Sequence, residues 1–209
     1  MSLVPCPECG NQVSTLAEHC PNCGCPGTLF PSPDLSIGDT VRFGANPTTG
    51  EALQWRVARL QEGHALLVAT TVLTTMPYGP EGGCPWERSD VRAWLNAVFP
   101  EAWLSKEERQ HVTAVALHNE ESAEWGTPGG ADTEDYCFCM SYQEALRYFT
   151  GNAQRAVGTP WWLRTPGIES SYTATVSGFG VINANGQESH TEGIGVLPAL
   201  WIETSVADR

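Results

Sequence analysis

Pro160-Trp161-Trp162-Leu163-Arg164-Thr165-Pro166-Gly167 and, near the end of the chain, Gly195-Val196-Leu197-Pro198-Ala199-Leu200-Trp201-Ile202 are the stretches on which the fold turns. Both are apolar and aromatic, with the bulky and β-branched side chains that favour buried strands. That character assigns Trp161, Trp162 and Trp201 to the core and makes Arg164 a buried or half-buried partner of the framework. The residues between them have a different chemistry. Short polar and aromatic runs from Ile168 to Glu192 are spaced by Val176 with Gly180 and by Ile182 with Gly186. Rigid strands that carry clusters of small polar and aromatic residues describe a binding surface. Its candidate contacts are Ile168, Glu169, Ser171, Tyr172, Thr175 and Ser177 in the first half, then Phe179, Val181, Asn183, Asn185, Gln187 and His190 in the second. Tyr172 and Phe179 stand inside polar runs, where a plain solvated turn has little use for an aromatic ring.

Working back from there, the rest reads as scaffold. Ile37 to Gly44 alternates like a half-buried strand, and Leu53, Trp55, Val57 and Arg59 fall on one side of a second. Glu62-Gly63 makes a turn into the apolar run Ala65 to Ala69, suited to a central strand, so three successive strands form an antiparallel meander. Ser89 is placed to cap a helix through Val91, Trp94, Leu95, Val98 and Phe99, which Pro100 should end. Ser105 with Glu108, and Ser141 with Glu144, have capping-box spacing. The acidic stretch Glu120 to Asp135, with Gly129-Gly130, reads as a solvated loop without the spacing of a calcium-binding hand.

Composition narrows the partners. The chain has 209 residues and a formal charge of -13, from 24 acidic against 11 basic side chains, and its only Lys is Lys106. Such a balance repels phosphate backbones and anionic lipid surfaces, so neither nucleic acid nor a membrane is an expected partner. No basic start followed by an apolar stretch is seen at the N-terminus, and no run approaches the roughly 20 apolar residues of a membrane span. Five of the eight cysteines lie between Cys6 and Cys25. That clustering fits metal binding in a reducing compartment, which makes the expected location cytoplasmic.

Cys6-Pro7-Glu8-Cys9-Gly10 and Cys20-Pro21-Asn22-Cys23-Gly24 are one motif written twice. Two residues between thiolates let a tight turn deliver both sulfurs to one tetrahedral ion, and the following Gly permits the left-handed backbone of that turn. Cys6, Cys9, Cys20 and Cys23 are therefore the expected ligands of a structural Zn2+, with His19 and Cys25 as spare candidates. The motif resembles the short zinc ribbons at the head of many bacterial proteins. The expected organisation is a zinc ribbon over residues 1–26, a Pro-rich linker over 27–34 and a ligand-binding domain over 35–209.

Several stretches of that domain resemble a bacterial family catalogued as domain of unknown function 6273. They are Ser36-Ile37-Gly38-Asp39, Leu53-Gln54-Trp55-Arg56-Val57, Trp86-Glu87 with Val91 to Asn96, the double-Trp segment and the closing Gly195 to Leu200. The resemblance spans about residues 35–204. It implies an α+β, C-type-lectin-like fold, in which paired helices and an antiparallel sheet support an irregular ligand face. It also implies kinship with variable proteins of diversity-generating retroelements, where the segment between the two motifs is retailored to bind different targets. The family's usual Arg in the closing motif is Leu197 here. Glu169, Gln187, Glu188 and Glu192 lie outside the residue menu of that diversification, which suits a fixed relative as well as a variable protein.

The function expected is non-catalytic recognition of a protein or glycan ligand; nothing in the sequence sets an oligomeric state. Two alternatives stand beside it. One is a redox enzyme like the formylglycine-generating oxidases, using Cys137 and Cys139, which alternate onto one strand face but do not match that family's late cysteine pair. The other is a structural subunit of a larger assembly. His111 and His118, seven apart, could share a helical face without a third ligand. Ser189-His190 has only Glu188 and Glu192 nearby, and spacing alone does not make a triad.

Overall fold

A computed structural model describes residues 3–14, 17–26 and 35–204. The chain divides into two compact units, Met1–Ser36 and Ile37–Arg209. The expected linker over 27–34 lies outside the described residues.

The first unit is a stub. Strands β1 (Leu3–Pro5) and β2 (Gln12–Ser14) pair antiparallel, Val4 opposite Val13. Both valines are buried with Cys6, Cys20 and Cys25 in a core of their own. So small a core buries little apolar surface, which is why such units depend on a metal for stability.

In the second unit β3 (Thr40–Ala45), β4 (Ala52–Gln61) and β5 (His64–Ala69) form the expected meander. Glu62 and Gly63 both have positive φ, 49° and 79°, the pairing a two-residue hairpin turn requires. A register shift between Val57 and Arg59 breaks the alternation, so Ala58 is buried and Arg59 turns partly outward. After β6 (Thr74–Thr75), Ser89 caps α1 (Asp90–Ala93) by accepting the Arg92 N–H. Pro100 does not end this helix, contrary to expectation. Trp94–Val98 widens into a π turn, with the Phe99 N–H reaching Trp94 O, and α2 (Phe99–Trp103) continues beyond. Proline lacks an N–H and crowds the carbonyl four residues back, and the wider turn relieves both problems. It also sets Asn96 to donate to Cys137 O at 2.9 Å and to accept the Tyr136 N–H at 2.9 Å.

The capping box of Ser105 with Glu108 opens α3 (Lys106–Gln110). β7 (Val112–Thr113) and β8 (Val115–Leu117) follow, and β8 pairs with β9 (Thr133–Asp135) across the acidic stretch. That stretch is not solvated throughout. Asp135 is 1% exposed and accepts from Trp86 Nε1 at 2.8 Å and Arg92 Nε at 2.7 Å, because a buried carboxylate must be paired. β10 (Cys137–Cys139) leads to α4 (Tyr142–Tyr148), opened by the box of Ser141 with Glu144, and to α5 (Asn152–Arg155). His111 caps the end of α3 and His118 follows β8, so the two share no helix.

Two sheets complete the unit. β15 (Pro198–Glu203) lies between β10 and β5 and also pairs with β7, giving the order β10-β15-β5-β4-β3. The second sheet runs β13-β12-β11-β14-β6, from β11 (Trp161–Pro166), β12 (Tyr172–Val176), β13 (Ile182–Glu188) and β14 (Gly195–Val196). β14 runs parallel to β11, Trp161 opposite Gly195. The architecture is a mix of helix and sheet, mostly sheet with a few short helices. Trp55, Trp86, Trp161 and Trp162 are fully buried, and each indole N–H has an acceptor: Phe43 O, Asp135 Oδ2, Arg155 O and Met76 O. Trp201 departs from expectation: it is only half-buried. Among the described residues no helix is long and apolar enough to cross a membrane.

Candidate functional site

The segment from Ile168 to Glu192 is carried by the β12–β13 hairpin, with β13 as the edge of its sheet. The framework beneath is tightly specified. Tyr172 lies opposite Glu188 and Thr173 opposite Gln187, but two residues later Thr175 lies opposite Asn183. β13 thus spends extra residues between those pairs, and the bulge is closed by Gly186 at φ 80°. A Cβ on Gly186 would stand 2.3 Å from Thr173 O, so no side chain fits. Asn183 Nδ2 donates to Gly186 O at 3.1 Å and fixes the same turn.

At the hairpin tip, Ser177 N donates to Val181 O at 2.8 Å and Gly180 N to Ser177 O at 2.8 Å. Buried Arg155 holds this turn from below, its Nε donating to Gly180 O at 2.9 Å and its Nη2 to Asn152 Oδ1 at 2.6 Å. Gly158 N donates to Gly178 O at 3.0 Å. Between these docked glycines Phe179 is 87% exposed. Val181 and Ile168 are also exposed, at 52% and 43%.

Elsewhere the segment is polar and acidic. The Tyr172 hydroxyl donates to Glu188 Oε1 at 3.3 Å, and the charge of Glu188, chiefly, pushes that phenol up. His190 Nε2 lies 3.4 Å from Glu188 Oε2. Glu169, Asn185, Gln187 and His190 are exposed, and Ser171, Tyr172, Ser177 and Asn183 half-buried. Thr175 is a correction: at 4% exposure it belongs to the core beneath the surface, as β12 is covered on both faces at that point. Ser189 is fully buried and bonded to Thr173 Oγ1 at 3.0 Å, and its backbone anchors Tyr78 and Gly79. It is a structural pin, not a nucleophile beside His190.

The cysteine motifs converge as their spacing predicts. The sulfurs of Cys6, Cys9, Cys20 and Cys23 all lie within 4.8 Å of one another, with Cys6 to Cys23 at 3.6 Å and Cys9 to Cys20 at 3.7 Å. Ligands about 2.3 Å from a tetrahedral ion stand about 3.8 Å apart, so the donor set fits one metal ion. Burial pushes the Cys6 thiol up, but the N–H groups of Cys9 and Glu8 outweigh it and bring it down to about 6. The Cys25 N–H pulls Cys23 down, yet burial and three neighbouring thiols push it up to about 12. Cys25 packs in the core of the unit and lies outside the four-sulfur group.

Cys137 and Cys139 are both buried, and burial pushes Cys137 up and Cys139 up to about 12. Thiolate chemistry is therefore suppressed at both. Sequence reasoning missed Arg155 and Thr127. Thr127 Oγ1 donates to Gly167 O at 2.9 Å and anchors the start of the segment from within the acidic stretch.

The chain belongs to the family described as domain of unknown function (DUF6273), whose profile matches residues 62–204. The match begins at the β4–β5 turn rather than at residue 35. No curated protein matches the chain, and no solved structure does.

Proposed function

We propose that the larger unit is a non-catalytic recognition domain of C-type-lectin-like architecture, and that its surface from Ile168 to Glu192 binds a protein or glycan. The observation that carries this reading is Phe179, 87% exposed on a turn whose backbone Arg155 and Gly158 immobilise. Presenting an aromatic ring to water on a rigid mount costs free energy that contact with a ligand recovers, and pre-organisation lowers the entropy lost on binding. The division between a glycine-pinned framework and a varied exposed set is what a variable protein of a diversity-generating retroelement, or a fixed relative of one, requires. The N-terminal unit is proposed as a structural zinc ribbon: four thiolates close a tetrahedral shell and suit Zn2+.

The redox reading is the weaker one, because Cys137 and Cys139 are enclosed and burial disfavours the thiolate at both. Copper-dependent oxygen consumption lost in Cys137→Ala would reinstate it.

The test compares partners captured by the intact chain, and its glycan-array profile, with those of a variant carrying Phe179→Ala, Tyr172→Ala and His190→Ala. Phe179→Ala alone should change stability by less than about 0.5 kcal/mol, as an exposed side chain does. A partner lost only from the altered chain supports the assignment. Equal capture by both chains refutes it.

A further inference from the structure

Trp201 is a tryptophan of the closing motif that the fold leaves only partly covered. It lies in the middle of β15, opposite Leu66 of β5 and Thr113 of β7, where a core residue is expected. It is nevertheless half-buried, and its indole N–H has no hydrogen-bond partner among the described residues, unlike those of the four buried tryptophans. It lines a cleft of about 320 Å³ whose other walls are Gln61, Glu62, His64, Thr113, Val115 and Ala116. These come from the β4–β5 turn and from β7–β8, elements the β12–β13 hairpin does not use.

The lining is selective in charge. It contains no Lys or Arg, while Glu62 is an exposed carboxylate that makes no ion pair among the described residues. His64 Nδ1 lies 3.1 Å from Glu62 O. A carbonyl can only accept, so Nδ1 is the donor of that bond. Gln61 and Thr113 add further acceptor oxygens. A partly exposed indole and a carboxylate that makes no ion pair among the described residues, side by side in one cleft, call for a positively charged group with N–H donors. The -13 charge of the chain draws such a group in over a longer range.

We propose that this cleft binds a guanidinium group, as borne by an arginine side chain of a partner protein, with the cation over the Trp201 ring and Glu62 as its counter-ion. The site is separate from the surface at Ile168 to Glu192 and does not depend on it.

The test uses the full chain with its tryptophan side chains labelled with nitrogen-15. The indole resonance of Trp201 is assigned as the one missing from Trp201→Phe, and the other seven report that the fold is intact. The probes are N-acetyl-arginine amide, its uncharged analogue N-acetyl-citrulline amide, and methyl galactoside. The Trp201 signal should shift saturably with the arginine probe, and at least tenfold more probe should be needed with citrulline. Added salt should weaken the arginine response, and Glu62→Gln should weaken it by about threefold, the size of one exposed ion pair. Equal responses to arginine and citrulline, a response to the galactoside alone, or none to any probe overturns the proposal. A response to arginine that appears only when residues 205–209 are removed also overturns it, since the cleft then belongs to the chain's own tail.

Discussion

Arg164 and Glu144 tie strand β11 to the cap of a helix. Arg164 Nη2 stands 3.0 Å from Glu144 Oε1, while Glu144 Oε2 accepts the Ser141 N–H at 2.9 Å and also meets Arg164 Nη1. One carboxylate therefore closes the capping box of α4 and neutralises a cation that is 5% exposed in β11. Removing it strands a buried guanidinium, which costs about 3–5 kcal/mol, against about 1 kcal/mol for an exposed cap. In urea unfolding, Glu144→Ala should lose about 3 kcal/mol and Ser105→Ala about 1 kcal/mol. Equal losses would mean that Arg164 finds another acceptor.

Gly186 offers a cleaner test of the hairpin. Gly186→Ala places a methyl group 2.3 Å from Thr173 O in a left-handed backbone, whereas at Gly193, φ 76°, nothing lies within 4 Å. The Gly193→Ala change should cost about 1 kcal/mol and the Gly186→Ala change about 3 kcal/mol or more. Thermal melts of the two variants decide it, and similar midpoints would show that the bulge is soft.

Thiol labelling distinguishes the cysteines of the larger unit. Alkylation consumes thiolate, and a thiol whose pKa is raised above its ordinary value holds less of it at any pH below that value. Burial raises Cys84 as well, but Cys84 is only half-buried, whereas Cys139 is enclosed and pushed up to about 12. Peptide mapping after alkylation at pH 8 should find Cys84 modified slowly and Cys137 and Cys139 only after unfolding, with the Cys84 rate rising toward pH 9. Labelling of Cys137 ahead of Cys84 would contradict the burial argument.

The ribbon should hold one metal ion per chain. Cys23→Ser should release it, while Cys25→Ser should keep it at some cost in packing. Acidification should also release it, because protons compete for the same sulfurs. Elemental analysis after dialysis reads all three; metal retained by Cys23→Ser would mean that His19 or Cys25 completes the shell.

Much of this was legible in the chain. Doubled cysteine motifs, the two capping boxes, the β3–β4–β5 meander and the double tryptophan are local signals, each fixed by residues close in sequence. What escaped was set at a distance. Pro100 reads as a stop until the π turn before it absorbs the missing N–H. Asp135 looks solvated because its partners, Trp86 and Arg92, are more than forty positions away. Thr175 follows the composition of a surface, yet its strand is covered on both faces, and period-two alternation does not reveal that. Trp201 carries the signature of a core residue, and only the tertiary arrangement of β5, β7 and β15 leaves one side of it open. Arg155, the mount of the Phe179 turn, carries no motif at all.

The parallel pairing of β11 with β14 has a consequence for change over time. Gly195 N donates to Pro160 O at 2.7 Å and closes the chain between them into one loop, whose buried part, Trp161 to Thr165 with Thr173 to Val176, belongs to the core. At the exposed positions of that loop, Phe179 and Val181 among them, substitutions leave the core packing untouched, and since its ends are already closed extra length there adds little entropy. Exposed side chains between Gly167 and Ile194 can thus be exchanged while the buried positions among them and the tryptophan core go on folding as before.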